Sequence, residues 1–356
     1  MKGGPEHWVR EEILALKPYA VAPAEGMVKL DAMENPYRLP EPLRREVGQL
    51  VADAAINRYP DPAAPALKAR LRATMGIPDA AELIIGNGSD ELITLAAQAL
   101  ARPGAVMLAP EPTFAMYRMN AVFSRMRYVG VPLRPDFMPD LDATLAAIER
   151  HQPALVFVAY PNNPTGNLFP EEAVARIVAA TPGLAIVDEA YQPFAQKSFM
   201  PRLGEFPNLV VMRTVSKLGL AGVRLGYAAG RPEWIRELDK VRPPYNVGVL
   251  AQAVAERVLA HADVLEAQAR AIRDERGRLQ DALASLPGAT VFPSAANFLL
   301  VRVPNAPRAF AGMKARRVLV RSFHGSHPLL EHCLRITVGT PEENAAMLAA
   351  LRESLA

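Results

Sequence analysis

Ser216-Lys217 closes the apolar run Leu209-Val210-Val211-Met212, and Arg224 follows seven residues after the lysine, inside Leu220-Ala221-Gly222-Val223-Arg224-Leu225-Gly226. A lysine ammonium in such an apolar setting is costly unless it is paired or loses its proton. Desolvation and nearby cations lower its pKa and make the amine nucleophilic, able to hold a carbonyl cofactor as an imine. The ordinary reading is a lysine that snorkels to the surface. The hydroxyl before it, the arginine after it and the small-residue turn between argue against that here. Lysine is also scarce, 8 against 32 arginines, so one inside a motif carries information.

An acid and a phenol end another apolar run: Asp188-Glu189-Ala190-Tyr191 after Leu184-Ala185-Ile186-Val187. A lone strand-end Asp reads as a helix cap or turn residue. Buried beside a heteroaromatic nitrogen, it would instead hold that nitrogen protonated through a charge-assisted hydrogen bond. Tyr191, three residues on, could reach a phenolic oxygen on the same ring. The run Gly86-Asn87-Gly88-Ser89-Asp90-Glu91 lets backbone approach a ligand and starts a helix whose free N–H groups suit phosphate. Alone it reads better as an ordinary cap. It is neither a Walker loop nor the full dinucleotide fingerprint. Arg335 sits within Cys333-Leu334-Arg335-Ile336-Thr337-Val338, where apolar flanks favour a buried, paired arginine. Arg321 follows Val318-Leu319-Val320, and a salt bridge or an anion fork fits it equally.

The elements that must position these groups are short. Glu82–Ile85, Ala105–Leu108, Leu155–Val158, Leu184–Val187 and Leu209–Met212 are apolar runs, most of them separated by helical patterns. That texture predicts buried parallel strands joined by crossovers. Ligands of open α/β sheets lie at the carboxyl ends of strands, and each run here ends in polar groups. Five junctions therefore point to one site. Residues 247–285 predict one or two long helices. After them, Thr290–Phe292, Asn297–Val301, Val318–Val320 and Leu334–Val338 predict strands of a small α+β domain, which residues 1–45 are expected to join.

With 356 residues, half of them hydrophobic and 22% charged, the chain can bury a sizeable core. No apolar run approaches the roughly 18 residues of a membrane span. The start, MKGGPEHWVREEILALKP, places charges where a signal peptide needs an apolar stretch, so a cytoplasmic protein is expected. A net charge of +3, with arginines scattered among acids, gives no nucleic-acid footprint. The lone Cys333 excludes an intramolecular disulfide and reads as a small buried hydrophobe. His324 and His327 share a loop without a cysteine or acidic ligand at metal spacing, so no metal is expected.

Read together, the motifs resemble the fold-type I enzymes that use pyridoxal 5′-phosphate, and most closely the histidinol-phosphate aminotransferase family. The resemblance spans nearly the whole chain. It rests on Leu30–Tyr37, Arg58-Tyr59-Pro60-Asp61, Gly86–Glu91, Pro112-Thr113-Phe114, Asn162–Gly166, Asp188–Tyr191, Ser216-Lys217 with Arg224, Ala296–Arg302 and Arg335–Asn344. It implies an α/β fold with a large, mostly parallel-sheet domain over 45–262 and a smaller α+β domain from 1–44 and 263–356.

The resemblance also implies roles. Lys217 would carry the cofactor covalently and later shuttle the proton. Asp188 would pair with the pyridinium nitrogen, Asn163 and Tyr191 with the ring's phenolic oxygen, and Phe114 would stack on the ring. The backbone groups of Ser89 and Asp90, with Ser216 and Arg224, would hold the cofactor phosphate, with Tyr59 reaching it from the neighbouring subunit of a homodimer. Arg335 would bind the carboxylate of glutamate or 2-oxoglutarate; Arg321, with Tyr19, the phosphate of histidinol phosphate. Met33 stands where a polar Asn is expected. An amino-acid aminotransferase of broader scope and a decarboxylase of a phosphorylated amino acid would use the same cofactor contacts. A regulatory module would need a helix-turn-helix segment ahead of the sheet, and none is evident. The incomplete glycine fingerprint disfavours a dehydrogenase.

Overall fold

The structure, a computed structural model, describes residues 4–18 and 22–355. A two-residue strand, β1 (Val28–Lys29), comes first. Seven strands then build the main sheet: β2 (Glu82–Gly86), β3 (Val106–Glu111), β4 (Arg127–Pro132), β5 (Leu155–Ala159), β6 (Leu184–Asp188), β7 (Leu209–Thr214) and β8 (Gly226–Gly230). Their order is β2-β8-β7-β6-β5-β3-β4. β5, β6 and β7 are buried along their whole length. With helices covering both faces, neither side of such a strand can be polar, which is why these segments read as unbroken apolar runs.

The five anticipated strands are present, but the sheet is not wholly parallel. β8 runs antiparallel to both β7 and β2. β2 therefore points the same way as β7, and all five polar junctions still open on one edge. β4 and β8 are strands that the sequence pattern did not reveal. β4, Arg-Tyr-Val-Gly-Val-Pro, is an edge strand and mostly not fully buried, so it lacks a continuous apolar run. β8, Gly-Tyr-Ala-Ala-Gly, is small because the start of the helix Ser89–Leu100 lies against it. A Cβ on Gly226 would come within 2.5 Å of the Ser89 backbone nitrogen and 2.6 Å of the Gly88 carbonyl carbon.

The helices Val249–Leu259 and Ala262–Ala284 lead to β9 (Thr290–Val291), β10 (Phe298–Arg302), β11 (Val318–Leu319), β12 (Arg321–Ser322) and β13 (Cys333–Thr337). β12-β13-β10-β9 form an antiparallel sheet; β11 pairs with β1 in parallel. The sequence reading ended one strand at Val320. The chain instead leaves β11 at Val320 and begins β12 at Arg321, which brings that arginine beside β13. The early segment is stitched to this region: Leu30 N–H donates to Leu319 O at 2.8 Å and its carbonyl accepts from Thr337 N–H at 2.9 Å. Leu30 and Met33 share an apolar cluster with Phe298, Leu334 and Ile336.

Gly226→Ala is expected to cost about 1–3 kcal/mol, because the new methyl meets backbone rather than a movable side chain. Denaturant titration checks this. A variant as stable as the native protein would mean that the helix start can shift.

Candidate active site

A cavity of about 450 Å³ opens at the carboxyl edge of the main sheet, between it and the small antiparallel sheet. Asp188, the last residue of β6, lies on its wall and is buried. Its Oδ2 accepts from the Tyr117 hydroxyl at 2.6 Å and its Oδ1 from the Ala190 N–H at 3.1 Å. Burial pushes the carboxyl up to about 6, while the two donors pull the other way. No cation among the described residues forms a salt bridge with it. Strand alternation sends the next acid to the opposite side. Glu189 is fully buried and pairs with Arg213 at 2.8 Å, away from the cavity.

Lys217 sits in the turn Ser216–Leu218 directly after β7. Its Nζ donates to Ala32 O at 2.9 Å, so the early segment 31–35 lies over the amine. Burial, and then the positive charge of Arg335, bring the ammonium down to about 8. About a tenth of the amine is then free at pH 7, far more than for a lysine of ordinary pKa.

At one end the cavity is built for an anion. Gly88, at φ +81°, precedes the helix Ser89–Leu100, which has no side-chain cap. Its first N–H groups are thus available to a ligand. Arg224, held in the left-handed region at φ +54°, reaches 3.4 Å from the Ser216 Oγ and 3.4 Å from Asp90 Oδ2. Thr214 Oγ1 lies 2.8 Å from the same serine oxygen. A Cβ on Gly88 would come within 2.5 Å of the Arg224 guanidinium, so glycine serves both the turn and the arginine.

On the other side, Asn163 Nδ2 donates to the Tyr191 hydroxyl at 3.1 Å. Arg335 donates to Asn163 Oδ1 at 2.6 Å and to Asp31 O at 2.8 Å. Arg321 is the register partner of Arg335 across β12 and β13, and both line the cavity. Like charges directly opposite each other repel, and an anion between them removes the repulsion. Phe114 also lines the cavity, edge-on to Tyr117.

The cavity thus gathers Lys217, Asp188, Tyr191, Ser89, Asp90, Phe114, Asn163, Ser216, Arg224, Arg321 and Arg335. Tyr59 is not on its wall; it is 80% exposed and stacked on Tyr245 at 4.5 Å. Tyr19 lies outside the described residues. Sequence reasoning missed Tyr117 and Thr214. Tyr117, one helical turn after Phe114, could have been found from that spacing. It also missed an acid beside the histidine loop. Glu331 lies 2.8 Å from His324, and His332 approaches both, whereas His327 instead accepts from Leu329 N–H.

Residues 25–351 fit the model of the class I and II aminotransferases, and the chain belongs to that family. It is 59% identical to the histidinol-phosphate aminotransferase of Chromobacterium violaceum, over 99% of both chains. It is 57% identical to histidinol-phosphate aminotransferase 2 of Burkholderia pseudomallei over the same shares. Among solved structures, the Sinorhizobium meliloti histidinol-phosphate aminotransferase in complex with pyridoxal-5′-phosphate superposes with a TM-score of 0.87 at 27% identity, covering 98% of this chain and 97% of that one.

In ligand-free protein, reductive labelling of Lys217 by a small aldehyde is expected to rise roughly tenfold per pH unit below about 8 and to level off above it. Freely solvated lysines go on gaining reactivity toward about 10. Peptide mapping of the label across pH separates the two profiles. A Lys217 yield that tracks the surface lysines would contradict the lowered pKa.

Proposed function

We propose that the protein is a pyridoxal 5′-phosphate-dependent aminotransferase that interconverts histidinol phosphate plus 2-oxoglutarate and imidazole-acetol phosphate plus glutamate, a step of histidine biosynthesis. The residues present suit this cofactor. Asp188 is a buried carboxylate with no paired cation among the described residues, and a protonated ring nitrogen would match it. The Gly88 turn, Ser216 and Arg224 suit a phosphate. When bound, pyridoxal 5′-phosphate supplies an aldehyde that condenses with amines and a ring that withdraws electrons from the substrate carbon.

The chain's own groups divide the work. Lys217 Nζ would be the point of covalent attachment, and as a free amine it would be the base that moves the proton. Asp188 would keep the ring nitrogen protonated, Asn163 and Tyr191 would hydrogen-bond the phenolic oxygen, and Phe114 would pack against the ring. The backbone groups of Ser89 and Asp90, with Ser216 and Arg224, would hold the phosphate. Arg335 receives the carboxylate of glutamate or 2-oxoglutarate, while Arg321, with Tyr19, receives the substrate phosphate. An arginine fork accepts carboxylate and phosphate alike, so one site can take two unlike substrates. Tyr59 completes the phosphate site from a second subunit of a cytoplasmic homodimer; its exposure and its absence from its own cavity wall support that role.

The observation that carries the reading is the register pairing of Arg321 with Arg335 on the wall that also holds Lys217 and Asp188. The full-length identity to histidinol-phosphate aminotransferases supports the same substrate.

Arg321→Ala is expected to lower kcat/KM for histidinol phosphate by roughly a hundredfold, the loss of charged hydrogen bonds to the phosphate. The half-reaction with glutamate is expected to stay within about threefold. Single-turnover spectroscopy of each half-reaction makes the comparison. Carbon dioxide release from a phosphorylated amino acid, with no transamination of histidinol phosphate, would defeat the proposal.

A further inference from the structure

Tyr117 takes no part in the roles above, yet it is the closest side chain bonded to Asp188. It lies on the helix Ala115–Phe123, one turn after Phe114, and is fully buried. Its ring is stacked on Phe157 of β5 at 4.4 Å and 7°, and meets Phe114 edge-on. Two aromatic contacts thus hold the ring where its hydroxyl can serve a single acceptor. That acceptor is Asp188 Oδ2, at 2.6 Å, the short separation of a charge-assisted O–H···O bond.

We propose that Tyr117 is a positioning residue, whose hydroxyl orients the Asp188 carboxylate so that its remaining lone pairs face the ring nitrogen of the cofactor. The inference rests on the aminotransferase reading and deepens it. The Ala190 N–H holds Oδ1 and the Tyr117 hydroxyl holds Oδ2, so the carboxylate is fixed by one donor at each oxygen. A carboxylate oxygen accepts more than one hydrogen bond, which leaves both able to accept from the cavity side.

The same helix ties the two ends of the cavity together. Asn120, one turn beyond Tyr117 and fully buried, accepts from Thr94 Oγ1 at 2.7 Å. Thr94 belongs to the helix Ser89–Leu100, whose start forms the anion cradle. The position of the hydroxyl is therefore set relative to the phosphate end. A rigid ring bound at both ends requires that constancy.

Electrostatics agree with the geometry. Burial disfavours the ionised Asp188, and the nearby charges of Asp90 and Glu189 act in the same direction. The Tyr117 hydroxyl and the Ala190 N–H oppose them. Burial, and then the charge of Asp188, push the Tyr117 phenol well above its ordinary range, so it stays a donor at any working pH.

The test is the exchange Tyr117→Phe, which keeps the stacked ring and removes only the hydroxyl. Cofactor-free native and variant proteins are titrated with pyridoxal 5′-phosphate and with its 1-deaza analogue, which has carbon in place of the ring nitrogen. Melting of the cofactor-free proteins checks that both are folded. The variant is expected to hold pyridoxal 5′-phosphate about tenfold more weakly, and to hold the deaza analogue as the native protein does. In an Asp188→Asn background the same exchange is expected to change neither affinity. Equal weakening toward both ligands would mean that the hydroxyl supports packing, and would overturn the proposal, as would no change toward either. Native protein that takes up no pyridoxal 5′-phosphate would overturn the aminotransferase reading itself, an outcome distinct from the other two.

Discussion

Asp188 is an acid that the fold surrounds with apolar strand and aromatic ring, and then leaves without a paired cation among the described residues. Burial of that kind is expensive, and a lone carboxylate answers it by taking up a proton unless something positive arrives. The rest of the site follows from this constraint. A hydroxyl and one N–H keep the group partly ionised and fix its direction. The positive charge that would complete it would have to come from a ligand. A cavity whose wall carries a negative charge at one point and positive charges elsewhere suits a molecule with the opposite pattern.

The cations are arranged on that scheme. Arg224 stands at the helix start, while Arg321 and Arg335 face each other across two strands of the other sheet. Lys217 lies near Arg335, whose charge adds to burial in lowering its pKa. The arginines cannot lose their protons, so the lysine is the group that yields. The lowered pKa of Lys217 is thus a property of the assembled cavity rather than of the lysine's own segment. The early residues 31–35 contribute as well, because Ala32 O receives the amine and Asp31 O receives Arg335. Met33, where a polar residue was expected, is buried among Phe298, Leu334 and Ile336, and its backbone makes the polar contacts instead.

Much of this was legible in the chain. The continuous apolar runs of β5, β6 and β7 follow from burial on both faces, and each ends in the polar group that the site uses. Gly86–Glu91, Asp188–Tyr191 and Ser216-Lys217 therefore mark a common edge from the chain alone. β4 and β8 did not announce themselves. An edge strand needs no apolar continuity, and a strand beneath a helix start must be small.

The amino-acid sequence by itself determined which residues terminate the central strands, and hence which side chains share the carboxyl edge of the sheet, because strands buried on both faces read as unbroken apolar runs and the crossovers between them keep those runs parallel. Tertiary structure decided the rest. Which arginine meets which depends on β12 pairing with β13, a register set by packing between segments that a one-dimensional pattern does not couple. Tyr117 reaches Asp188 across 71 positions of chain. Hydrogen bonds of such span form only when several elements have packed, since direction and distance within a few tenths of an ångström are properties of the assembled core.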